Sequence, residues 1–260
     1  MYAAKISVSI EDIQLQHSLA ISLEALLRSW RTNGQILGKE QPVFLNHNEL
    51  IATAIIPEED SLEALYNTED ARSIILTIGE TEGAVLDIKI VGISPYGIAA
   101  CECEKPGSYI LYTNYASLSP PIRCGDCSFP VPLYKIPTRN DEERNRITLW
   151  QASYQSCDML HVNSAIGEQF SQRQVQHHDS PLAKEGRDIC SKIEEHTEIP
   201  TFYYLSKPGG KSLKQEKKRT CPSCKNKWLL KESWHDIFDF KCESCRLLSN
   251  IGWTVRSTPE

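Results

Sequence analysis

The chain has 260 residues, 40% hydrophobic and 24% charged, with a formal net charge of −6, which suits an ordinary globular protein with one large or two modest cores. No apolar run approaches the roughly 20 residues of a membrane helix, and MYAAKISVSIEDIQ lacks the basic start and apolar stretch of a signal peptide. Ten cysteines in a long chain without a signal read as reduced, metal-binding thiols of a cytoplasmic protein rather than a disulfide scaffold.

Residues 3–10 predict a strand. Leu19, Leu23, Leu26, Leu27 and Trp30 recur at helical spacing, and Asn33-Gly34 stops that helix. Strand-like runs follow at FLNHNELIATAII, SIILTI and AVLDIKIVGI, with helix-like EEDSLEALY between the first two. The stretch SPYGIAACECEKPGSYILYTNYA predicts two further strands. Five prolines between Ser119 and Pro137 exclude a helix or central strand and predict an ordered surface connection. Asn140 with Glu143 then forms a capping-box pattern, opening a helix with the stripe Ile147, Trp150, Tyr154, Cys157 and His161. A second helix is predicted near 165–176 and a third at Ser180-Pro181, burying Leu182, Ile189, Cys190 and Ile193, before a short strand PTFYYL.

Charge divides the chain. Residues 1–200 carry 16 Lys and Arg against 28 Asp and Glu, a balance of −12; residues 201–260 carry 12 against 6, a balance of +6. Between Ser206 and Arg219 the stretch SKPGGKSLKQEKKR is too polar to fix itself by burial and predicts a mobile basic linker.

Cys221-x2-Cys224 and Cys242-x2-Cys245 stand 17 residues apart, within the zinc-ribbon window. Two thiolates on one tight knuckle fill two corners of a tetrahedron, and a hairpin brings round the second knuckle for the others. KWLLKESWHDIFDFK supplies the two strands, about a turn near Ser233–Asp236, and residues 247–256 add a third. Four thiolates leave no open coordination position, so this Zn²⁺ site is structural. Its formal charge of about −2 leaves the tail near +4. Cys101-x-Cys103 and Cys124-x2-Cys127 form a candidate second site, since residues two apart on a strand share a face. The bland alternative is four small buried cysteines in a β-domain.

Cys157 and His161 sit four apart on an apolar helix face, where packing is the preferred reading over a thiol–imidazole pair. There is no phosphate loop, dinucleotide fingerprint, HExxH or GxSxG, and no enzyme is expected.

RCGDCSFPVPLYKIP, WQASYQSCDML, EGRDICSKIEEHTEIPTFYYL, CPSCKNKWLL and FDFKCESCRLLSN occur in that order. Over roughly 119–256 the chain thereby resembles a proteobacterial family of unknown function described as zinc-ribbon-containing and as a candidate for nucleic-acid binding. The resemblance implies Cys221, Cys224, Cys242 and Cys245 as ribbon ligands and aligns Cys124 and Cys127 with its earlier block. The neighbourhood of such genes with toxin genes implies an immunity role.

The expected protein is therefore α+β: an N-terminal, mostly antiparallel sheet with helices (1–118), a Pro-rich connection plus helical segment (119–205), a basic linker (206–219) and a small zinc ribbon (220–260). Two functions follow. In the favoured one, an acidic body binds a protein partner such as a toxin domain, steered by charge. In the alternative, Lys217, Lys218, Arg219, Lys225 and Lys227 contact phosphates while Trp228 stacks on a base. An unrecognised enzyme is the third.

Overall fold

The structure is a computed structural model and describes residues 1–163 and 166–256. Two compact units divide the chain. The first comprises Met1–Glu102, Leu118–Pro120 and Phe129–Thr148; the second comprises Cys103–Ser117, Pro121–Ser128 and the chain from Leu149 onward.

In the first unit the elements are β1 (Tyr2–Ile10), α1 (Gln16–Asn33), β2 (Phe44–Asn46), β3 (Glu49–Ile56), α2 (Glu69–Glu80) and β4 (Ala84–Ile93). The strands form an antiparallel sheet in the order β2-β3-β1-β4. Period-two alternation puts Ala4, Ile6, Val8 and Ile10 on one face, in register with Ala54, Ala52 and Leu50 of β3. That face is buried under the α1 stripe Leu19, Leu23, Leu26, Leu27 and Trp30 and under Ala71 and Ile78 of α2. Gly34, at φ 78°, ends α1 in the left-handed region, where Leu133 packs too close for any side chain. Polar groups close the helix end: Trp30 Nε1 donates to Asn67 Oδ1 at 2.8 Å, and Gln35 Nε2 donates to the Ser61 carbonyl at 2.9 Å.

Two sequence expectations fail in this unit. SIILTI (Ser73–Ile78), expected as a strand, lies in α2, because Thr68 Oγ1 caps the helix at Ala71 N and Glu69 and Asp70 complement its N-terminal dipole. EEDSLEALY, expected as a helix, forms turns and a 3-10 turn at Ala64–Tyr66. Its Ser61 Oγ is bonded to the backbone of Glu58 instead.

The second unit contains β5 (Tyr109–Leu111), β6 (Ile122–Cys124), α4 (Glu168–Gln176), α5 (Pro181–Thr197), β7 (Thr201–Leu205), α6 (Leu213–Glu216), β8 (Leu229–Trp234), β9 (Phe238–Cys242), β10 (Leu247–Ser249) and α7 (Trp253–Arg256). A further helix, α3, spans Asp141–Asn163, with Glu143 N bonded to Asn140 Oδ1 at its start. Where two strands were expected between Ser94 and Ala116, only β5 forms. The strands make one six-stranded sheet, β6-β5-β7-β10-β9-β8, in which β7 runs parallel to both neighbours. All five β7 residues are buried, as a central strand covered on both faces requires. Ile110, Phe202, Tyr204, Phe238 and Leu248 form one core cluster. On α3 and α5, Trp150 and Ile189 are also buried.

The ribbon hairpin β8–β9 thus shares a sheet with β7 through β10. The segment expected to be a mobile linker is packed against the ribbon. Asn250 receives the Lys207 N–H at 2.8 Å and donates to its carbonyl at 2.9 Å. Buried Glu216 receives the Gly252 N–H, and Thr254 N donates to the Pro208 carbonyl. These partners lie 36 to 46 positions away, beyond what local composition reports.

Candidate metal centres

Three Cys-x-x-Cys turns share one backbone geometry. After the second cysteine of each, a residue takes a left-handed conformation: Ser128 at φ 65°, Lys225 at 65° and Arg246 at 51°. The N–H of Ser128 returns to the Cys124 carbonyl and that of Lys225 to the Cys221 carbonyl, each at 2.9 Å. Such a turn aims successive N–H groups at the first sulfur. Asp126 N approaches Cys124 Sγ at 3.4 Å, and N–H groups of Ser223 and Cys224 point to Cys221. At Cys221 those donors favour the thiolate, against the larger effect of burial.

Cys221, Cys224, Cys242 and Cys245 bring their sulfurs within 4.8 Å of one another, with Cys224 and Cys242 at 3.6 Å. Four sulfurs around Zn²⁺ at about 2.3 Å stand about 3.8 Å apart, so the set is compatible with one ion in a closed tetrahedron. Burial pushes the Cys221 thiol up. The Asn226 N–H pulls Cys224 down, to about 6, so one thiolate is available near neutral pH. Ser244 Oγ lies 3.5 Å from Cys242 Sγ, in hydrogen-bond reach of the sulfur cage.

Cys101, Cys103, Cys124 and Cys127 meet the same 4.8 Å limit. Cys101 is held by its N–H to the Pro130 carbonyl. The CGDC knuckle is fixed by Gly125, whose N–H donates to the Ser108 carbonyl at 2.7 Å in a space where Ser108 leaves no room for a Cβ. Asp126 Oδ2 accepts the Gly107 N–H, and His235 of the ribbon hairpin bonds the Gly125 carbonyl at 2.6 Å. Two four-thiol groups therefore exist among the described residues, and both donor sets suit zinc. The αL position at Ser128, which the structure rather than the sequence shows, makes CGDCS the same turn as CPSCK.

The basic residues have different fates. Lys217, Lys218, Lys225 and Lys227 are exposed. Trp228, expected as a stacking platform, is 4% exposed and packs on Phe240 at 5.2 Å. Arg219 is likewise withdrawn: it lies over the Phe240 ring at 4.4 Å, pairs with Glu216 at 3.1 Å and donates to the Asn250 carbonyl at 2.6 Å. Neither is free for a nucleic acid.

A cleft of about 870 Å³ beside the ribbon is lined by Arg187, Ser191, Glu194, Ser223, Ser244 and Arg246 among others. Arg246 grips Glu194 through Nε and NH2 at 2.8 to 3.1 Å. That guanidinium holds the Glu194 carboxyl below its usual range, so it stays ionised and fixed rather than poised as a base. Burial pushes the Cys190 thiol in the cleft wall far up, and the Cys157 thiol up as well, opposite to an activated nucleophile. No helix among the described residues is long and apolar enough to cross a membrane.

Three family models match in succession, each described as a domain of unknown function: DUF8589 over residues 1–92, DUF2310 over 103–206 and DUF8594 over 210–255. A Haemophilus influenzae protein described as uncharacterized is 38% identical over 236 residues, covering 89% of this chain and 90% of that protein. A second from the same organism, also described as uncharacterized, is 40% identical over 172 residues, covering 66% of this chain and 85% of its own length. The chain belongs to the family of these Haemophilus influenzae proteins.

Proposed function

We propose that this is a non-catalytic binding protein, in which each four-cysteine group holds one structural zinc ion and the acidic first unit engages a protein with a basic surface, as an immunity protein covering a toxin does. The observation that carries the reading is the segment Glu58–Asp70. Glu59, Glu63, Glu69 and Asp70 are exposed there around Leu65, itself 75% exposed. An exposed apolar residue in a stretch of exposed like charge combines steering with a desolvated contact. Residues 1–102 carry six Lys and Arg against fifteen Asp and Glu, a balance of −9, so the charge lies mainly where this residue is. Closed thiolate sites stiffen the scaffold and offer a substrate no open position.

The test is capture from lysate followed by charge reversal. A stoichiometric protein partner resistant to nuclease, and released by Glu63→Lys with Glu69→Lys at unchanged zinc content, is the expected result. A partner indifferent to these reversals contradicts the reading. The exposed Lys217, Lys218, Lys225 and Lys227 favour one alternative, nucleic-acid binding through phosphates. Nucleic acid that co-purifies and is lost when these four become Gln establishes it, with a salt slope shallower by up to about 0.9 per lysine on duplex.

A further inference from the structure

The strand β4 lies at the edge of the first sheet and, among the described residues, pairs with β1 alone. It is ten residues long and apolar at its surface: Val85, Ile90, Val91 and Ile93 are all exposed, the last 72%. A long apolar edge is a template for another strand unless something blunts it. Here the only charges on the strand are Asp87 and Lys89.

Those two charges select the partner. The strand reads Ala84-Val85-Leu86-Asp87-Ile88-Lys89-Ile90-Val91-Gly92. Reversed about Ile88, apolar residues fall on apolar residues and Asp87 falls on Lys89. We propose that two copies of the chain pair through the outer edges of β4, antiparallel about a twofold axis at Ile88, joining two four-stranded sheets into one of eight.

In that register Asp87 of each copy faces Lys89 of the other, twice by symmetry. Leu86 faces Ile90, and Ile88 faces its own counterpart. A twofold contact must be self-complementary in this way, and directly opposed cross-strand pairs are where such complementarity acts. Within one chain Lys89 stands directly opposite Lys5 of β1, and it pairs with Asp87 of its own strand at 2.8 Å, the Lys89 side chain largely exposed and that of Asp87 half-exposed. An incoming Asp87 supplies an anion on the side away from Lys5. On the core face, Leu86 and Ile88 already pack at the margin of the buried cluster, so the join extends that layer across the axis. Val91 is the extra residue where the β1 register shifts, and this bulge ends the regular ladder, leaving Leu86 to Ile90 of each copy as the paired stretch. The inference is independent of the proposed function.

Sedimentation velocity on the full chain, over a series reaching about 100 µM, tests it. The wild type is expected to move from monomer to dimer and no further. Asp87→Lys and Lys89→Asp, made singly, each place like charges opposite at two symmetric positions and should weaken the dimer at least about tenfold. The exchange of both, Asp87→Lys with Lys89→Asp, restores two opposite pairs and should return the constant to within about threefold of wild type. Circular dichroism should be unchanged throughout, since neither side chain is buried. A wild type monomeric over the whole series, a larger assembly, single reversals without effect, or an exchange no better than the singles overturns the proposal.

Discussion

The two units solve the same problem, fixing a sheet, with different materials. In the first, strands of eight to ten residues in β1, β3 and β4 lay Ile6, Val8, Leu50 and Ile56 under two helices. In the second, β5, β6 and β10 are three residues each. One cluster inside the sheet, Ile110, Phe202, Tyr204, Phe238 and Leu248, is largely aromatic, and both CGDC and the ribbon knuckles sit beside short strands. Strands of that length contribute few ladder bonds and little area. The sulfur clusters stand beside the shortest strands, and the contrast teaches that metal is expected to matter more to the second unit than to the first.

The largest expected effect is chelation. A structural zinc contributes on the order of 10 kcal/mol, comparable with the whole stability of a typical domain at roughly 5–15 kcal/mol. Hydrogen exchange after metal removal should show β9 and β10 unprotected while β1 and β3 keep their protection. Because β10 also pairs with β7, β7 is expected to lose protection too. Equal loss in both units breaks the comparison.

Next comes Leu23→Ala, which opens the apolar core of the first unit where Leu23 is fully buried. It should cost about 2–5 kcal/mol, with zinc content unchanged by elemental analysis. Asn250→Ala should follow at about 1–3 kcal/mol, because it leaves the Lys207 N–H and the Tyr204 hydroxyl without their acceptor. Proteolysis near Lys211–Lys218 should then accelerate, whereas the wild type resists there.

The smallest effects lie in pH. As pH falls, thiolates must take up protons to release metal, so the second unit should unfold first in acid. In the first unit, the Lys5 ammonium hydrogen-bonded to Glu49 holds that carboxyl below its ordinary value. Its contribution is present above the unfolded carboxylate range and is lost only as pH falls through the lower folded value. Both side chains are about a third exposed, so this contribution is small. Melting followed separately in the two units across pH 4–7 measures the order.

What the sequence made legible follows the same division. Strands β1 and β4, the stripe of α1, the Ser180 cap of α5 and the ribbon knuckles all announce themselves within a dozen residues, through period, capping or spacing. Ser73–Ile78 misled because its β-branched residues read as a strand, while the decisive signal, Thr68 before Glu69 and Asp70, lay just upstream. The 207–219 strap and the burial of Arg219 and Trp228 depend on Asn250, Glu216 and Phe240, partners chosen by the fold rather than by neighbours in the chain. The second thiol cluster was half legible: the Cys residues were visible, but their convergence rests on Ser108 admitting only glycine at 125.

The most direct test of the account is metal analysis of protein purified without added metal, joined to X-ray absorption at the zinc edge. Two zinc ions per chain, each with four sulfur ligands at about 2.3 Å, are the predicted result, falling to one in the Cys124→Ser, Cys127→Ser double variant. Less than one zinc per chain, or nitrogen and oxygen in the first coordination sphere, contradicts it.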